Sequence, residues 1–123
     1  MTKDFQASKP IYLQIADHLS SQIVRGELKA GGKLPSVREM AIQSGVNPNT
    51  IQRTYSELER MGIVETKRGQ GTFVTENEQV LQALKVRLQT DIIGGFVESM
   101  KELGFTQKEM IEGLQQFFRR NQE

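Results

Sequence analysis

Apolar side chains recur at intervals of three and four residues over the first part of the chain, the pattern of helices that bury one face. The first stripe starts after Pro10 and stops before Gly26, and both residue types are typical of helix boundaries at these positions. Ser36 is the predicted N-cap of a second helix, and Asn47 is that of a third. Because Gly45 separates these two short helices, the spacing predicts a helix-turn-helix.

The spacing of apolar residues changes from a helical pattern to a strand pattern directly after the third helix. Residues 63–67 are predicted to form a strand, 68–71 a tight turn rich in glycine, and 72–75 the returning strand. A β-hairpin in this position is the wing of a winged helix-turn-helix, which would occupy residues 10–75.

From residue 76 the helical period resumes over a long stretch. Gly94 and Gly95 interrupt the stripe, where they could kink the helix or admit a close neighbour. Gly104 ends this helix, and Thr106 is the predicted N-cap of a last one, so the two should fold back as an antiparallel hairpin. The predicted fold is therefore mostly α with a small β-hairpin wing, divided into an N-terminal extension (1–9), a DNA-binding domain (10–75) and a two-helix tail (76–123).

The apolar stripes of the tail are too broad for two helices to bury against each other, and an exposed remainder of this kind marks an interface. Pairing about a two-fold axis would also place two recognition helices on a palindromic site. The alternative is that the tail packs on its own winged domain. The residues predicted to form the dimer interface are Leu81, Leu84, Leu88, Ile92, Phe96, Met100, Leu114 and Phe117.

Composition adds an uneven distribution of charge to this picture. Residues 1–75 hold ten Lys and Arg against seven Asp and Glu, a net +3, whereas residues 76–123 carry a net −2. A weakly basic front half agrees modestly with phosphate binding. No apolar run is long enough to span a membrane, and the polar N-terminus does not resemble a secretory signal, so a cytoplasmic location is expected.

The residues needed for catalysis or metal binding are scarce. The chain has no cysteine, and His18, its single histidine, is predicted at the rim of the first helix. No glycine loop that would cradle a phosphate precedes a helix. We therefore expect neither an enzyme nor a bound cofactor or metal.

The third helix carries the candidate base-reading side chains. If Ile51, Tyr55 and Leu58 face inward, the helical period turns a polar set outward. Asn and Gln can pair bidentately with adenine, and Arg can do so with guanine. A recognition helix enters the major groove with its N-terminal end. The alternative is an ordinary solvated face. The candidates on this helix are Asn47, Asn49, Thr50, Gln52 and Arg53.

The wing and the second helix add four further candidates. Lys67 and Arg68 stand at the hairpin tip beside Gly69, where cations could reach phosphates or a minor groove. Arg38 lies near the positive end of the second helix, an unfavourable place for a cation. A contact with DNA would explain it, whereas a salt bridge to Glu39 or Glu57 is the alternative.

Three stretches closely resemble the GntR family of bacterial regulators: PIYLQIADHLSSQIVRGELKAGGKLPSVREMA, GVNPNTIQRTYSELERMG and KRGQGTFV. The resemblance covers residues 10–75. The resemblance implies operator contacts at Arg38, at the start of the recognition helix and at the glycine turn of the wing. The sequence departs from the family at Ala30, which replaces a usual proline and should loosen a turn. It also departs at Pro48, where a base contact is lost.

The short tail, with ESMKELGFTQKEMIEGL across its turn, resembles the YtrA-type subfamily. That resemblance implies a homodimer, most plausibly a repressor that occludes a promoter, and includes transporter genes among the expected targets. The competing hypotheses are a winged-helix adaptor for protein partners and a sensor of a small ligand. Whether an effector exists is left open by the sequence.

Overall fold

The computed structural model describes residues 8–122, so most of the predicted N-terminal extension lies outside the described residues. The chain divides into two compact units, the first ending at Lys85 and the second beginning at Val86, within a helix. Each unit is considered by itself. The elements in chain order are α1 (Ile11–Val24), α2 (Val37–Ser44), α3 (Pro48–Arg60), β1 (Val64–Lys67), β2 (Gly71–Val74), α4 (Glu78–Glu102) and α5 (Gln107–Asn121).

Three helices enclose the core of the N-terminal unit. Both α1 and α2 pack against α3, and the apolar stripes predicted from the sequence point into this contact. Complete burial of an aliphatic side chain contributes roughly 1.5–3 kcal/mol, so these residues dominate the stability of the unit. The most deeply buried apolar side chains are Ile15, Leu19, Ile51, Leu58, Ile63, Val64 and Val74.

Polar contacts fix α3 against its neighbours. The Tyr55 hydroxyl donates a 2.7 Å hydrogen bond to the Pro35 carbonyl, which ties α3 to the segment that leads into α2. The Thr54 hydroxyl is fully buried and lies 3.1 Å from the Tyr12 carbonyl of α1 and 2.9 Å from the Thr50 carbonyl. Burial of the Tyr55 ring raises the pKa of its hydroxyl, so this group remains a hydrogen-bond donor over the physiological range.

The helix-turn-helix connection forms as the sequence predicts. Ser36 and Glu39 make a complete capping box at the start of α2. Gly45 ends α2 in the left-handed conformation with φ of +68°, which a residue without a Cβ adopts readily. Asn47 then caps α3, and Pro48 occupies its first turn. The two helices are therefore held in a fixed relation by side-chain caps at both starts.

The wing is an antiparallel hairpin in which Val64 pairs with Val74 and Lys67 with Gly71. Its sheet extends further than the sequence predicts, because the segment 31–34 runs along the free edge of β2. The Leu34 amide donates to the Thr72 carbonyl at 2.8 Å, and the Val74 amide donates to the Gly32 carbonyl at 2.8 Å. This segment, expected only as a turn, thus pairs with β2 through an isolated β-bridge between Lys33 and Phe73.

In the C-terminal unit, α4 runs without a break through Gly94 and Gly95 and is followed by α5. The predicted N-cap Thr106 is present at the start of α5, where it forms a capping box with Glu109. A Cβ added at Gly94 or Gly95 would meet no atom of the described chain within 4 Å. The helix thus continues through this pair, and within the described chain no close neighbour of either glycine is found. None of the helices between residues 8 and 122 is long and apolar enough to cross a membrane.

The position of Leu84 requires a correction to the predicted dimer interface. This side chain is only 4% exposed and belongs to the N-terminal unit, so it is already buried within a single chain. A buried side chain offers no surface to a partner. The helical period placed Leu84 on the same stripe as Leu88 and Ile92, but the first turns of α4 serve the winged unit instead.

Candidate nucleic-acid interface

The exposed face of α3 contains the side chains that the sequence indicated. Asn49, Gln52 and Arg53 are all exposed, whereas Thr50 is half-buried. Asn47 is exposed as well, but its side-chain oxygen accepts the Asn49 backbone N–H at 2.8 Å. Asn47 therefore supports the start of α3 through its acceptor, which leaves only its amide NH₂ free to meet a base.

Arg53 has a partner that sequence analysis missed. Its guanidinium carbon lies 4.1 Å from the centre of the Tyr12 ring, which belongs to the first turn of α1. A cation over an aromatic face is held electrostatically, by about 0.5–1 kcal/mol at an exposed site. Tyr12 looked like part of the apolar stripe, and only the packing of α1 on α3 reveals this contact.

Arg38 is exposed in the first turn of α2, and it forms no ion pair within residues 8–122. Both carboxylates that could have neutralised it are engaged elsewhere. Glu39 accepts the Ser36 backbone N–H at 3.0 Å, and Glu57 accepts from Arg60 at 3.1 Å. The salt bridge considered as an alternative for Arg38 is thus absent, and the guanidinium faces solvent.

Hydrogen bonds with Ser36, first from its backbone and then from its side chain, lower the pKa of the Glu39 carboxyl. The nearby positive charge of Lys33 lowers this pKa further. Glu39 is therefore ionised at neutral pH and stabilises the start of α2, whose N-terminal amides favour a negative charge.

The wing tip presents cations beside a turn free of bulky side chains. Gly69 has a φ of +76°, and the Gln70 amide closes the turn on the Lys67 carbonyl at 2.8 Å. Lys67 and Arg68 are exposed, and the Lys67 ammonium lies 4.8 Å from the centre of the Phe73 ring. The aromatic ring supports the lysine stem and leaves its charge accessible.

Sequence analysis also missed Lys33. This residue forms an isolated β-bridge with Phe73, and its side chain extends over Gly71 of the wing. No sequence motif indicates Lys33, because its position depends on its bridge to Phe73 in β2. The N-terminal unit thus contributes Arg38, the exposed face of α3 and the wing cations.

The C-terminal unit bears a separate apolar surface. A groove of about 840 Å³ lies between α4 and α5 and brings Ile92, Phe96 and Leu114 together. Ile92 is 73% exposed, and Phe117 beyond the groove is 60% exposed. Leu88 and Met100 are half-buried, and Leu81 belongs to the other unit with Leu84. Apolar groove residues that the dimer prediction did not include are Ile93, Val97, Phe105, Met110 and Ile111.

Within the part of the chain that the structure describes, no group of three or more His, Cys, Asp or Glu residues is arranged to hold a metal ion. One unit therefore bears a positively charged, polar surface, and the other bears an apolar surface.

Comparison with known proteins agrees with this geometry. Residues 11–74 match the family model described as bacterial regulatory proteins, gntR family. The uncharacterized HTH-type transcriptional regulator YhcF of Bacillus subtilis is 62% identical over 95% of this chain and 97% of that protein. The HTH-type transcriptional repressor YtrA of the same organism is 50% identical over 60% of this chain and 57% of that protein. Both relatives are named as regulators rather than enzymes, as the sequence led us to expect.

Solved structures extend the likeness to the tail. A GntR family transcriptional regulator from Listeria monocytogenes has a TM-score of 0.84 and 39% identity, covering 91% of this chain and 98% of that one. The DNA-binding domain of AraR, in complex with operator ORX1, has a TM-score of 0.56 and 28% identity, covering 61% of this chain and 95% of that one. The first likeness includes α4 and α5, whereas the second is a winged domain seen on DNA.

Proposed function

Since the chain belongs to the gntR family of bacterial regulatory proteins and is a DNA-binding transcription regulator, we propose that it acts as a homodimeric repressor. Each protomer would read one half of a palindromic operator through Arg38, α3 and the wing. The observation that carries this proposal is Arg38, an exposed cation at a helix start without a carboxylate partner within residues 8–122. An external phosphate supplies the missing negative charge, or the guanidinium donates hydrogen bonds to the acceptor edge of a base.

The side chains have distinct roles in this proposal. Asn49 and Gln52 meet base edges in the major groove, because their amides match the donor and acceptor of adenine. Arg53 lies over the Tyr12 ring. This contact restricts its guanidinium to the α1 side of the helix, where it meets a phosphate or base. Lys67, Arg68 and Gly69 approach the backbone beside the major groove, where only the lack of a side chain at Gly69 permits close contact.

The apolar surface of the C-terminal unit carries the dimer in this proposal. Exposed side chains as large as Ile92 and Phe117 on neighbouring helices form a patch that a monomer seldom leaves in water. A second copy of the same chain is the occupant we propose for the groove between α4 and α5. A two-fold axis there pairs like surfaces and gives two winged units for a palindrome.

Repression follows from occupancy in this mechanism. A dimer on a promoter-proximal palindrome covers the duplex that polymerase needs, so binding alone prevents initiation. No catalytic step and no cofactor are required. The repressor name of the YtrA relative supports this direction of regulation.

The proposal is tested by selecting duplexes from a random pool with the wild-type protein and measuring their binding at several salt concentrations. With about 6–10 phosphate contacts per dimer, affinity should fall by roughly 10³–10⁵ between 50 and 200 mM salt. The selected sites should share a palindrome. A pool without a shared sequence, together with binding that salt does not weaken, would favour the adaptor for protein partners.

A further inference from the structure

Lys33 is a cation of the N-terminal unit that has no role in the proposed function. It lies outside α2, α3 and the hairpin, in the segment that pairs with the edge of β2. It is exposed, and it forms no ion pair within the described residues 8–122. Its position is nevertheless well defined, because Lys33 is the bridge partner of Phe73 in β2.

The pairing places Lys33 on the same face of the sheet as Lys67. Residues directly opposite each other on antiparallel strands share a face, as do residues two apart on one strand. Lys33 is opposite Phe73, and Gly71 is two residues before Phe73 and opposite Lys67. The Lys33 and Lys67 side chains therefore project from one face, with the Phe73 ring beside both.

The absence of a side chain at Gly71 leaves room for the Lys33 side chain. A methyl group added at Gly71 would lie 2.7 Å from Lys33 Cε and 3.6 Å from its Nζ. The stem of Lys33 thus crosses the space that any other residue would fill, and its ammonium extends toward the hairpin turn. Gly71 has a φ of +122°, so glycine is favoured there for its backbone as well.

Two acidic groups, Glu39 and Glu65, lie near Lys33. Lys33 is the bridge partner of Phe73 in the wing and stands three residues before Ser36, the N-cap of α2, so it lies between the wing and the start of α2. Its positive charge lowers the pKa of the Glu39 carboxyl. Glu65 is the residue opposite Phe73 on β1, and it shares the sheet face of Lys33. Neither carboxylate is within 4.0 Å of the Lys33 ammonium. The ammonium is available to a further anion.

We infer that Lys33 is a DNA-contacting residue that binds a backbone phosphate between the wing and α2. This inference rests on the proposed function, and it adds a contact that neither the sequence motifs nor the recognition helix indicates. A lysine ammonium is a point charge without a preferred plane, which suits a phosphate and carries no base preference. Lys33 therefore adds affinity on any duplex and does not select its sequence.

The test compares Lys33→Gln with wild type on a selected palindromic duplex and on a random-sequence duplex across a salt series. Each lost phosphate contact lowers the slope of log K against log salt by about 0.9, so the dimer should lose about 1.8. The loss should be equal on both duplexes. Lys33→Arg should keep the wild-type slope, because the charge remains.

Lys108→Gln is the matched control, since Lys108 is an exposed lysine on α5 in the other unit. It should leave the slope unchanged, and thermal unfolding should confirm that the variants fold like wild type. A Lys33→Gln slope equal to that of wild type overturns the inference, as does a loss confined to the palindrome. If wild type itself shows no salt-dependent binding, the proposed function fails instead, so the two failures are distinguishable.

Discussion

Single residues decide how this surface meets DNA, and Arg38 is the clearest case. A cation in the first turn of a helix opposes the helix dipole and costs a few tenths of a kcal/mol when nothing compensates it. Both nearby carboxylates are committed, Glu39 to Ser36 and Glu57 to Arg60. The free protein thus keeps an unfavourable charge, and the proposed contact with DNA would compensate it.

Arg38→Ala should therefore weaken operator binding by about 1–3 kcal/mol and relax selectivity at one base pair. The reason is the loss of a bidentate guanidinium contact with a guanine. Fluorescence anisotropy on the selected duplex and on single-base variants of it measures both effects. Arg119→Ala, which removes an exposed arginine from α5, is the control. Equal losses on operator and random duplexes would assign Arg38 to a phosphate rather than a base.

At the scale of elements, hydrophobic period and capping residues were sufficient to predict the fold. The helices, the hairpin and the N-caps Ser36 and Thr106 are confirmed, because each depends on contacts within a few residues of the sequence. The inward face of α3 was also predicted, although buried Thr54 was missed. A threonine beside Tyr55 looks polar until its hydroxyl is seen to contact a carbonyl of α1.

The missed elements depend on contacts distant in sequence. Residues 31–34 contain glycines and precede a proline, a pattern that predicts a turn. Only the structure shows that they also form hydrogen bonds with the free edge of β2. Lys33 was missed for the same reason. Leu84 fell on the correct stripe of α4, but a period identifies a buried face without saying what buries it. The candidate interface could thus be predicted where it lies on one element and not where two elements meet.

The capping box of α2 gives a prediction for pH. The folded pKa of Glu39 is lowered from its ordinary value near 4.5, so its stabilisation is present above that value and is lost as pH falls through the folded pKa. Glu39→Gln should remove this contribution. The thermal stability gap between wild type and Glu39→Gln should therefore be larger at pH 7 than at pH 3.

The control for this experiment is Glu98→Gln, which changes an exposed carboxylate on α4 that caps no helix. The thermal stability of Glu98→Gln should differ little from that of wild type at both pH 7 and pH 3. A gap for Glu39→Gln that is the same at pH 7 and pH 3 would contradict the assignment, because the lost contact would then not depend on ionisation.

At the scale of the whole molecule, the two units divide the work of one binding event. Residues 1–75 carry a net +3 and include the polar face of α3, whereas residues 76–123 carry a net −2 and include the exposed apolar side chains of α4 and α5. A net negative charge disfavours phosphate, and the exposed apolar side chains favour burial against a second copy. In a dimer, the half-sites of the operator should be separated by about one helical turn or a multiple of it.

Ile92 gives the sharpest test of that assembly. Its side chain is 73% exposed, so Ile92→Glu leaves the fold of the single chain intact while placing two charges in the proposed two-fold interface. Burial of unpaired carboxylates is costly, and the variant should sediment as a monomer where wild type sediments as a dimer. Gln89→Glu adds the same charge on an exposed position of α4 and is the matched control.

Binding should change together with assembly in the Ile92→Glu variant. A monomer retains the contacts of one half-site, so its affinity for a single half-site should equal that of the wild-type winged unit. Its affinity for the full palindrome should fall steeply, because the second half-site no longer binds as part of one complex. A variant that remains a dimer, or a monomer that binds the palindrome as tightly as wild type, would contradict the two-unit mechanism.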